Sequence, residues 1–303
     1  MNKKKGVVLS LANQKGGVGK SVSATNLAVS FARRGKRTLL IDADYQGNAS
    51  MQIGIKRQAL SRQKTISAGL IEGIPISKLW LKTKFTNLFA VAADMEFCEF
   101  NSRHTGKADA QLLFKEWVEE AKSFFDIIVV DTHPSLDLIF QNVMIASDFY
   151  VLPLFAEVES LEGLHIMFNH VRVIQKKLNT NLQILGCLVT KYSGKSTHKR
   201  FLSKITEFGK KFKMPVIGVI PMTSAMASAS ENQLPVVTKN LAVSKAYEKL
   251  ADYLVDKLKP RGKGRVPETP AVTKQNLDLL IGLVEEEHLS VGTLEEEMKL
   301  DGF

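Results

Sequence analysis

Short apolar runs alternate with longer amphipathic segments over most of the chain. The runs are rich in Val, Ile and Leu, which is typical of strands buried on both faces, and the segments between them have helical spacing. This alternation predicts an α/β fold with a doubly wound, mainly parallel sheet of seven strands flanked by helices. The predicted strands are residues 7–12, 38–42, 88–92, 127–131, 150–154, 182–189 and 216–220.

The pattern changes after residue 258. Residues 259–267 contain two prolines, two glycines and four cations, a composition typical of a linker. Beyond them, residues 276–288 place four apolar side chains on one helical face, and residues 294–299 are long enough for a second short helix. We therefore expect a folded domain over residues 1–258, a basic linker over residues 259–273 and an acidic helical tail over residues 274–303.

Composition narrows the class of protein. With 303 residues, 45% of them apolar, the chain can bury a large core. Its two cysteines, Cys98 and Cys187, lack the spacing of a zinc site or of a disulfide framework. No apolar run reaches the roughly 18 residues of a membrane-spanning helix, and the amino terminus does not have the form of an export signal. These features favour a cytoplasmic protein.

The net charge of +10 is unevenly distributed. From Val266 onward there are nine acids and two bases, a net −7, which leaves +17 for the first 265 residues. A body this basic attracts polyanions such as nucleic acid or an anionic membrane surface. A generally basic surface without a specific partner is the alternative.

A phosphate-loop pattern follows the first predicted strand. Residues 13–21 read NQKGGVGKS, and a helical pattern comes after them. Glycines let backbone N–H groups point at phosphate oxygens, Lys20 neutralises the β- and γ-phosphates, and Ser21 ligates Mg²⁺. Strand, loop and helix together predict that ATP and Mg²⁺ bind here. The expected nucleotide-binding residues are Gly16, Gly17, Val18, Gly19, Lys20, Ser21 and Val22.

Carboxylates end two other predicted strands. Asp42 and Asp44 come at the end of the second strand, and residues 126–131 read DIIVVD, with four apolar residues before the final carboxylate. Since doubly wound sheets bind ligands at the carboxyl ends of their strands, these side chains are expected near the phosphates. The predicted Mg²⁺ site comprises Ser21, Asp44 and Asp131, whereas Asp42 could instead hold the loop.

Residues 13–20, with Lys15 inside the loop, and residues 42–48, which read DADYQGN, closely resemble the ParA/Soj family of partitioning ATPases. This family has a P-loop of the deviant Walker A type, and the resemblance extends over residues 6–256. It implies a homodimer with ATP sandwiched between the subunits, in which Lys15 reaches the partner's phosphates. Lys20 and Asp44 are then also catalytic, Asp44 by orienting the attacking water.

The resemblance also implies adenine contacts at Thr190, Pro221 and Met222, and a loop at Glu157 that couples nucleotide state to dimerisation. A packing role is the alternative for the three adenine candidates. Two features depart from the family pattern. His133 stands where relatives usually show proline, and is either structural or a modulator of the switch loop; two arginines expected after Pro221 are missing.

Eight cations and a single acid lie between Lys191 and Lys213. This density suits contact with phosphates rather than reading of bases. The resemblance implies ATP-dependent, non-specific DNA binding, whereas a solvated helix face is the alternative. The expected DNA contacts are Lys195, Lys199, Arg200 and Lys204.

The sequence thus predicts an ATPase that dimerises with ATP, binds DNA non-specifically and positions a DNA or protein cargo. A ParB-like partner is expected to stimulate hydrolysis, and the ATP-bound protein is expected on the nucleoid. Three alternatives are a MinD-like ATPase on a membrane, an iron–sulfur reductase and an adaptor with little hydrolysis. The acidic run at residues 285–287 argues against anionic lipid, and two distant cysteines argue against a cluster.

Overall fold

A computed structural model describes residues 5–56, 60–157, 164–224, 234–239 and 241–259. At its centre is one eight-stranded sheet, made of β1 (Val7–Leu11), β2 (Thr38–Ala43), β3 (Leu81–Lys82), β4 (Leu88–Val91), β5 (Ile127–Thr132), β6 (Phe149–Phe155), β7 (Gln183–Tyr192) and β8 (Val216–Pro221). The order across the sheet is β3-β4-β2-β5-β1-β6-β7-β8. All neighbours pair in parallel except β3, which lies antiparallel to β4 at one edge.

Helices cover both faces of this sheet. They are α1 (Lys20–Arg33), α2 (Asn48–Gln52), α3 (Ile66–Leu70), α4 (Phe100–His104), α5 (Leu113–Glu119), α6 (Leu138–Ala146), α7 (Leu164–Lys177), α8 (Ser196–Phe212) and α9 (Ala242–Lys257). Short 3₁₀ turns add Arg62–Lys64, Ile76–Lys78, Met95–Glu99, Ala110–Leu112, Ala121–Ser123 and Val236–Thr238. The core on one face contains side chains of α1, α2 and α9, and the core on the other contains side chains of α3 to α8.

Strand β5 shows why the apolar runs are unbroken. Ile128 and Val130 belong to the core under α3 to α8, while Ile127 and Val129 belong to the core under α1 and α9. Successive strand residues point to opposite faces, so a strand covered on both sides needs apolar residues throughout. Asp131 continues this alternation on the α1 side, which directs its carboxylate toward the phosphate loop.

The α/β class and the seven predicted strands are confirmed, with ends that differ by at most three residues. The sheet has one strand more than predicted, β3, whose two residues are too few to show a periodicity. Apart from Lys259, the predicted linker and tail lie outside the described residues. Within the part of the chain that the structure describes, no helix has the length and hydropathy to cross a bilayer.

Gly186 in β7 is a position where the sheet has no room for a side chain. Its φ is +141°, which L residues rarely adopt, and a Cβ there would lie 2.1 Å from the carbonyl oxygen of Pro215. The substitution Gly186→Ala should therefore lower the free energy of unfolding by about 2–5 kcal/mol, measured by urea unfolding.

Gly35→Ala is the matched control for this prediction. Gly35 also has a positive φ, +73°, but among the described residues, its two chain neighbours aside, no atom lies within 4 Å of its Cβ position. The control should lose only about 1–2 kcal/mol, from backbone strain alone. Equal losses in the two variants would contradict the steric explanation for Gly186.

Candidate active site

The phosphate loop lies between β1 and α1. Gly17 (φ +72°) and Gly19 (φ +80°) have a left-handed backbone, which glycine adopts without strain. Gly19 directly precedes α1, and the first turn of that helix contains no acid that would compete with a phosphate for its N–H groups. The other predicted loop residues differ in exposure: Gly16 is exposed, Val18 is buried, and Ser21 and Val22 are half-buried.

Two buried polar side chains anchor this loop to neighbouring strands. The Asn13 amide donates to the carbonyl of Pro153 in β6 at 2.8 Å and accepts from the backbone N–H of Lys15 at 2.9 Å. The Thr190 hydroxyl, at the end of β7, lies 3.0 Å from the carbonyl oxygen of Val18. The loop is therefore held in shape by its bonds to β6 and β7.

Lys20 is the cation at the centre of the site. Lys20 is 6% exposed, and its ammonium donates to the backbone carbonyl of Lys15 in the same loop at 3.0 Å. Burial lowers the pKa of Lys20, and the nearby carboxylates of Asp131 and Asp44 oppose that shift. Lys20 is thus placed where it can exchange a backbone oxygen for a phosphate oxygen.

Two of the carboxylates are brought together by strand register. Asp42 in β2 lies directly beside Asp131 in β5, because the two strands run parallel and these residues are partners. The Asp131 side chain is fully buried, and within the described residues neither of its oxygens accepts a well-formed hydrogen bond. Burial and then the Asp42 charge raise the pKa of Asp131 well above its ordinary value, against the opposing influence of the Ser21 hydroxyl and Lys20.

Asp42 holds the loop after β2. One of its oxygens accepts from both the amide and the hydroxyl of Ser50 at 2.7 Å, and the other accepts from the Asp44 amide at 3.3 Å. Burial nonetheless raises the pKa of Asp42 to about 6. These bonds fix the turn that carries Asp44, which is itself buried and accepts from the amide of Gln46 at 3.0 Å.

The residues present fit a magnesium ion. In the part of the chain that the structure describes, the two buried oxygens of Asp131 accept no well-formed hydrogen bond, and the Ser21 hydroxyl is beside them. Among the described residues no group of three or more His, Cys, Asp or Glu side chains could hold a metal. Proteins commonly bind Mg²⁺ through one or two carboxylates together with substrate phosphates and water, and Asp131 with Ser21 supplies that kind of partial shell.

The turn after β5 contains a histidine with several partners. The His133 ring is buried, and its Nε2 lies 2.8 Å from a carboxylate oxygen of Asp137, the residue that caps α6. The ring also contacts that of Tyr45, next to Asp44, at 5.8 Å between centroids. The sequence singled out His133 but gave no sign of Asp137 or Tyr45 as its neighbours.

The residues predicted to contact adenine and DNA lie near the ends of β7 and β8 and at or within α8. Thr190 supports the loop, as described above, and Pro221 ends β8. Met222 is 60% exposed, and its amide donates to the Tyr192 carbonyl at 2.8 Å. Lys195 and Lys199 are exposed at the start of α8, whereas Arg200 and Lys204 are half-buried. Their contacts to adenine and to DNA stay predictions.

Comparisons with known proteins agree with this geometry. A family model described as an AAA domain matches residues 6–184. The chromosome-partitioning ATPase Soj of Treponema pallidum is 34% identical over 254 residues, which are 82% of this chain and 97% of that protein. The chain belongs to the Soj/ParA family.

Solved structures place this Soj/ParA-family chain among nucleotide-binding proteins. A plasmid partition protein of Borrelia burgdorferi, solved with AMPPNP, has a TM-score of 0.70 at 26% identity over 84% of this chain and 100% of its own. Cobyrinic acid a,c-diamide synthase of Mycobacterium smegmatis, solved with an ATP analogue and magnesium, shares the fold with a TM-score of 0.72 at 24% identity, over 88% and 100% of the two chains. The protein is an ATPase, as predicted, and the nucleotide analogues and magnesium bound in these neighbours agree with the predicted cofactors ATP and Mg²⁺.

Asp131→Asn should have opposite effects on the free and the nucleotide-bound protein. A raised folded-state pKa means that stability is lost as pH rises through it, and the asparagine variant lacks this loss. At neutral pH without nucleotide, the variant should therefore be more stable by about 1–3 kcal/mol. In the ADP-bound protein, Mg²⁺ should raise the Tm of the wild type but hardly that of the variant.

Thermal unfolding without nucleotide measures the first effect, and thermal unfolding with ADP and either Mg²⁺ or EDTA measures the second. Asp109→Asn is the control, since Asp109 is exposed and distant in sequence from the site, and it should show neither effect. A full Mg²⁺ effect in Asp131→Asn would exclude this carboxylate from the metal shell.

Proposed function

We propose that this Soj/ParA-family ATPase is a nucleotide switch that dimerises around ATP, binds DNA non-specifically in that state and positions a DNA or protein cargo. A ParB-like partner stimulates hydrolysis, which releases the DNA. The observation that carries the proposal is that the phosphate loop follows β1 and the cationic start of α8, at Lys195, follows β7. These strands are parallel, so both features lie at the carboxyl end of the sheet. ATP-bound molecules would gather on the nucleoid.

In hydrolysis, the chain's own residues supply position and charge. Lys20 neutralises the β- and γ-phosphates, and Asp44, held by the Asp42 turn, orients the attacking water. Ser21 and Asp131 would hold Mg²⁺, which supplies positive charge to the phosphates when bound. Such a site works mainly through preorganised electrostatics, and the buried bonds of Asn13 and Asp42 provide that order.

The dimer is supported by the position of Lys15. Its backbone is fixed on both sides, through its amide to Asn13 and through its carbonyl to Lys20. Its side chain is half-exposed, and among the described residues no ion pair involves it. An ammonium presented in this way at the rim of the loop is available to phosphates held by a second subunit.

DNA binding is supported by the surface of α8. Lys195, Lys199, Lys210 and Lys213 are exposed along the helix, and Glu207 is the single acid in this stretch. Lysines presented on one exposed helix suit phosphates of any sequence, because ammonium groups act as point charges and do not read base edges. Binding of this kind should weaken steeply with salt.

The double substitution Lys195→Glu/Lys199→Glu tests the DNA-binding proposal. Wild-type protein should bind a long duplex of random sequence with ATP and Mg²⁺, but not with ADP or without nucleotide. The double variant should bind at least about tenfold more weakly, with a salt dependence reduced by roughly two to four counterions per dimer. Fluorescence anisotropy at two salt concentrations measures both quantities.

Lys176→Glu/Lys177→Glu is the matched control. These lysines are also exposed on a helix. They lie at the end of α7, which leads into β7, so they are at the amino end of the sheet, opposite the phosphate loop. The control changes the net charge equally and should keep most of the affinity. An equal loss in both variants, or binding that is independent of nucleotide, would count against α8 as an ATP-gated DNA surface.

A further inference from the structure

A bridge of buried polar groups joins the turn after β5 to two helices. His133 is 6% exposed, and its Nε2 lies 2.8 Å from Oδ2 of Asp137. The same carboxylate oxygen accepts from Nδ2 of Asn101 in α4 at 2.5 Å, and Oδ1 accepts from the amide of Phe140 in α6 at 3.2 Å. The position of His133 is thus tied to α4 and to the start of α6.

The bridge fixes the orientation of the imidazole ring. Although burial opposes it, hydrogen bonds from His133, Asn101 and the Phe140 amide lower the pKa of Asp137 to about 2, so this carboxylate accepts at neutral pH. Nε2 must then carry the hydrogen of the 2.8 Å bond. Within the described residues the other ring nitrogen, Nδ1, is buried without a hydrogen-bond partner. A histidine that served only to fill space would leave this polar atom at a cost that an apolar residue avoids.

The same ring connects the two turns that carry the catalytic carboxylates. His133 follows Asp131 by two residues, and its ring contacts Tyr45, which directly follows Asp44. The rings are tilted by 48° at 5.8 Å, a common geometry for packed aromatic side chains. A shift of α6 would therefore reach Asp44 through Asp137, His133 and Tyr45.

We propose that His133 is a positioning residue for ATP hydrolysis, which aligns the Asp44 turn by bracing Tyr45 against the Asp137 cap of α6. It contacts neither nucleotide nor metal in this role. It acts on the rate of the chemical step, because the alignment of Asp44 is what it controls, and it leaves the phosphate loop untouched. The proposal rests on the ATPase activity alone and does not require DNA binding or a partner.

Three substitutions at two positions test it. His133→Gln places an amide nitrogen where Nε2 lies and keeps a planar group to pack against Tyr45, so it should keep kcat within about threefold. His133→Leu fills similar space without the bond and should lower kcat by about 10- to 100-fold, with the Kd for ADP unchanged within about threefold. Asp137→Ser keeps a side chain that can cap α6 but is too short to reach His133, so it should lose kcat as His133→Leu does.

The measurements are kcat at saturating ATP and Mg²⁺, the Kd for a fluorescent ADP analogue, and Tm. Support requires that the loss of kcat in His133→Leu is rescued in His133→Gln, and that the double variant His133→Leu/Asp137→Ser is no worse than either single variant. The proposal is overturned if kcat is unchanged in His133→Leu, if His133→Gln loses as much, or if Kd changes in parallel with kcat. If His133→Leu fails to fold, kcat is compared between Tyr45→Phe, which keeps a ring, and Tyr45→Leu, which does not. A lower kcat in Tyr45→Leu supports the proposal, and equal kcat in the two variants excludes the ring contact and overturns it.

Discussion

The site depends on keeping one ammonium group beside three carboxylates away from water. Lys20, Asp42, Asp44 and Asp131 are each at most 6% exposed. Burying charges is costly unless they are paired, and burial shifts the pKa of Lys20 down and those of Asp42 and Asp131 up. One lysine does not offset three carboxylates, and a bound triphosphate adds negative charge. This imbalance is the physical reason to expect both Mg²⁺ and a second lysine at the phosphates.

The sheet makes this arrangement possible. Parallel pairing of β2 and β5 places Asp42 directly beside Asp131, and the covering of both faces by helices excludes water from the strands that carry them. The phosphate loop is then fixed above these carboxylates by β6 and β7, through Asn13 and Thr190. The fold therefore supplies a preorganised anion site, with Asp131 and Ser21 beside it as candidate Mg²⁺ ligands.

Much of the sheet and of the phosphate site could be predicted from local sequence. The unbroken apolar runs identify the parallel strands, and the strand–loop–helix context at residues 13–21 identifies the phosphate site, because both signals lie within short stretches of chain. The support for the site could not be predicted in this way. Ser50 binds Asp42 from the far side of a turn, and Thr190 reaches Val18 from 172 residues away in sequence. Such contacts arise from strand order, which no local pattern specifies.

The central proposal is that two chains share each ATP, with Lys15 acting on the partner's phosphates and Asp44 acting on its own. ATP hydrolysis by an equimolar mixture of Lys15→Ala and Asp44→Ala tests it most directly, since each variant alone should be nearly inactive. Half of randomly mixed dimers contain one site with both groups intact, so the mixture should recover about a quarter of wild-type activity. Activity no higher than that of the separate variants would contradict a shared site and place both residues in the same chain's reaction.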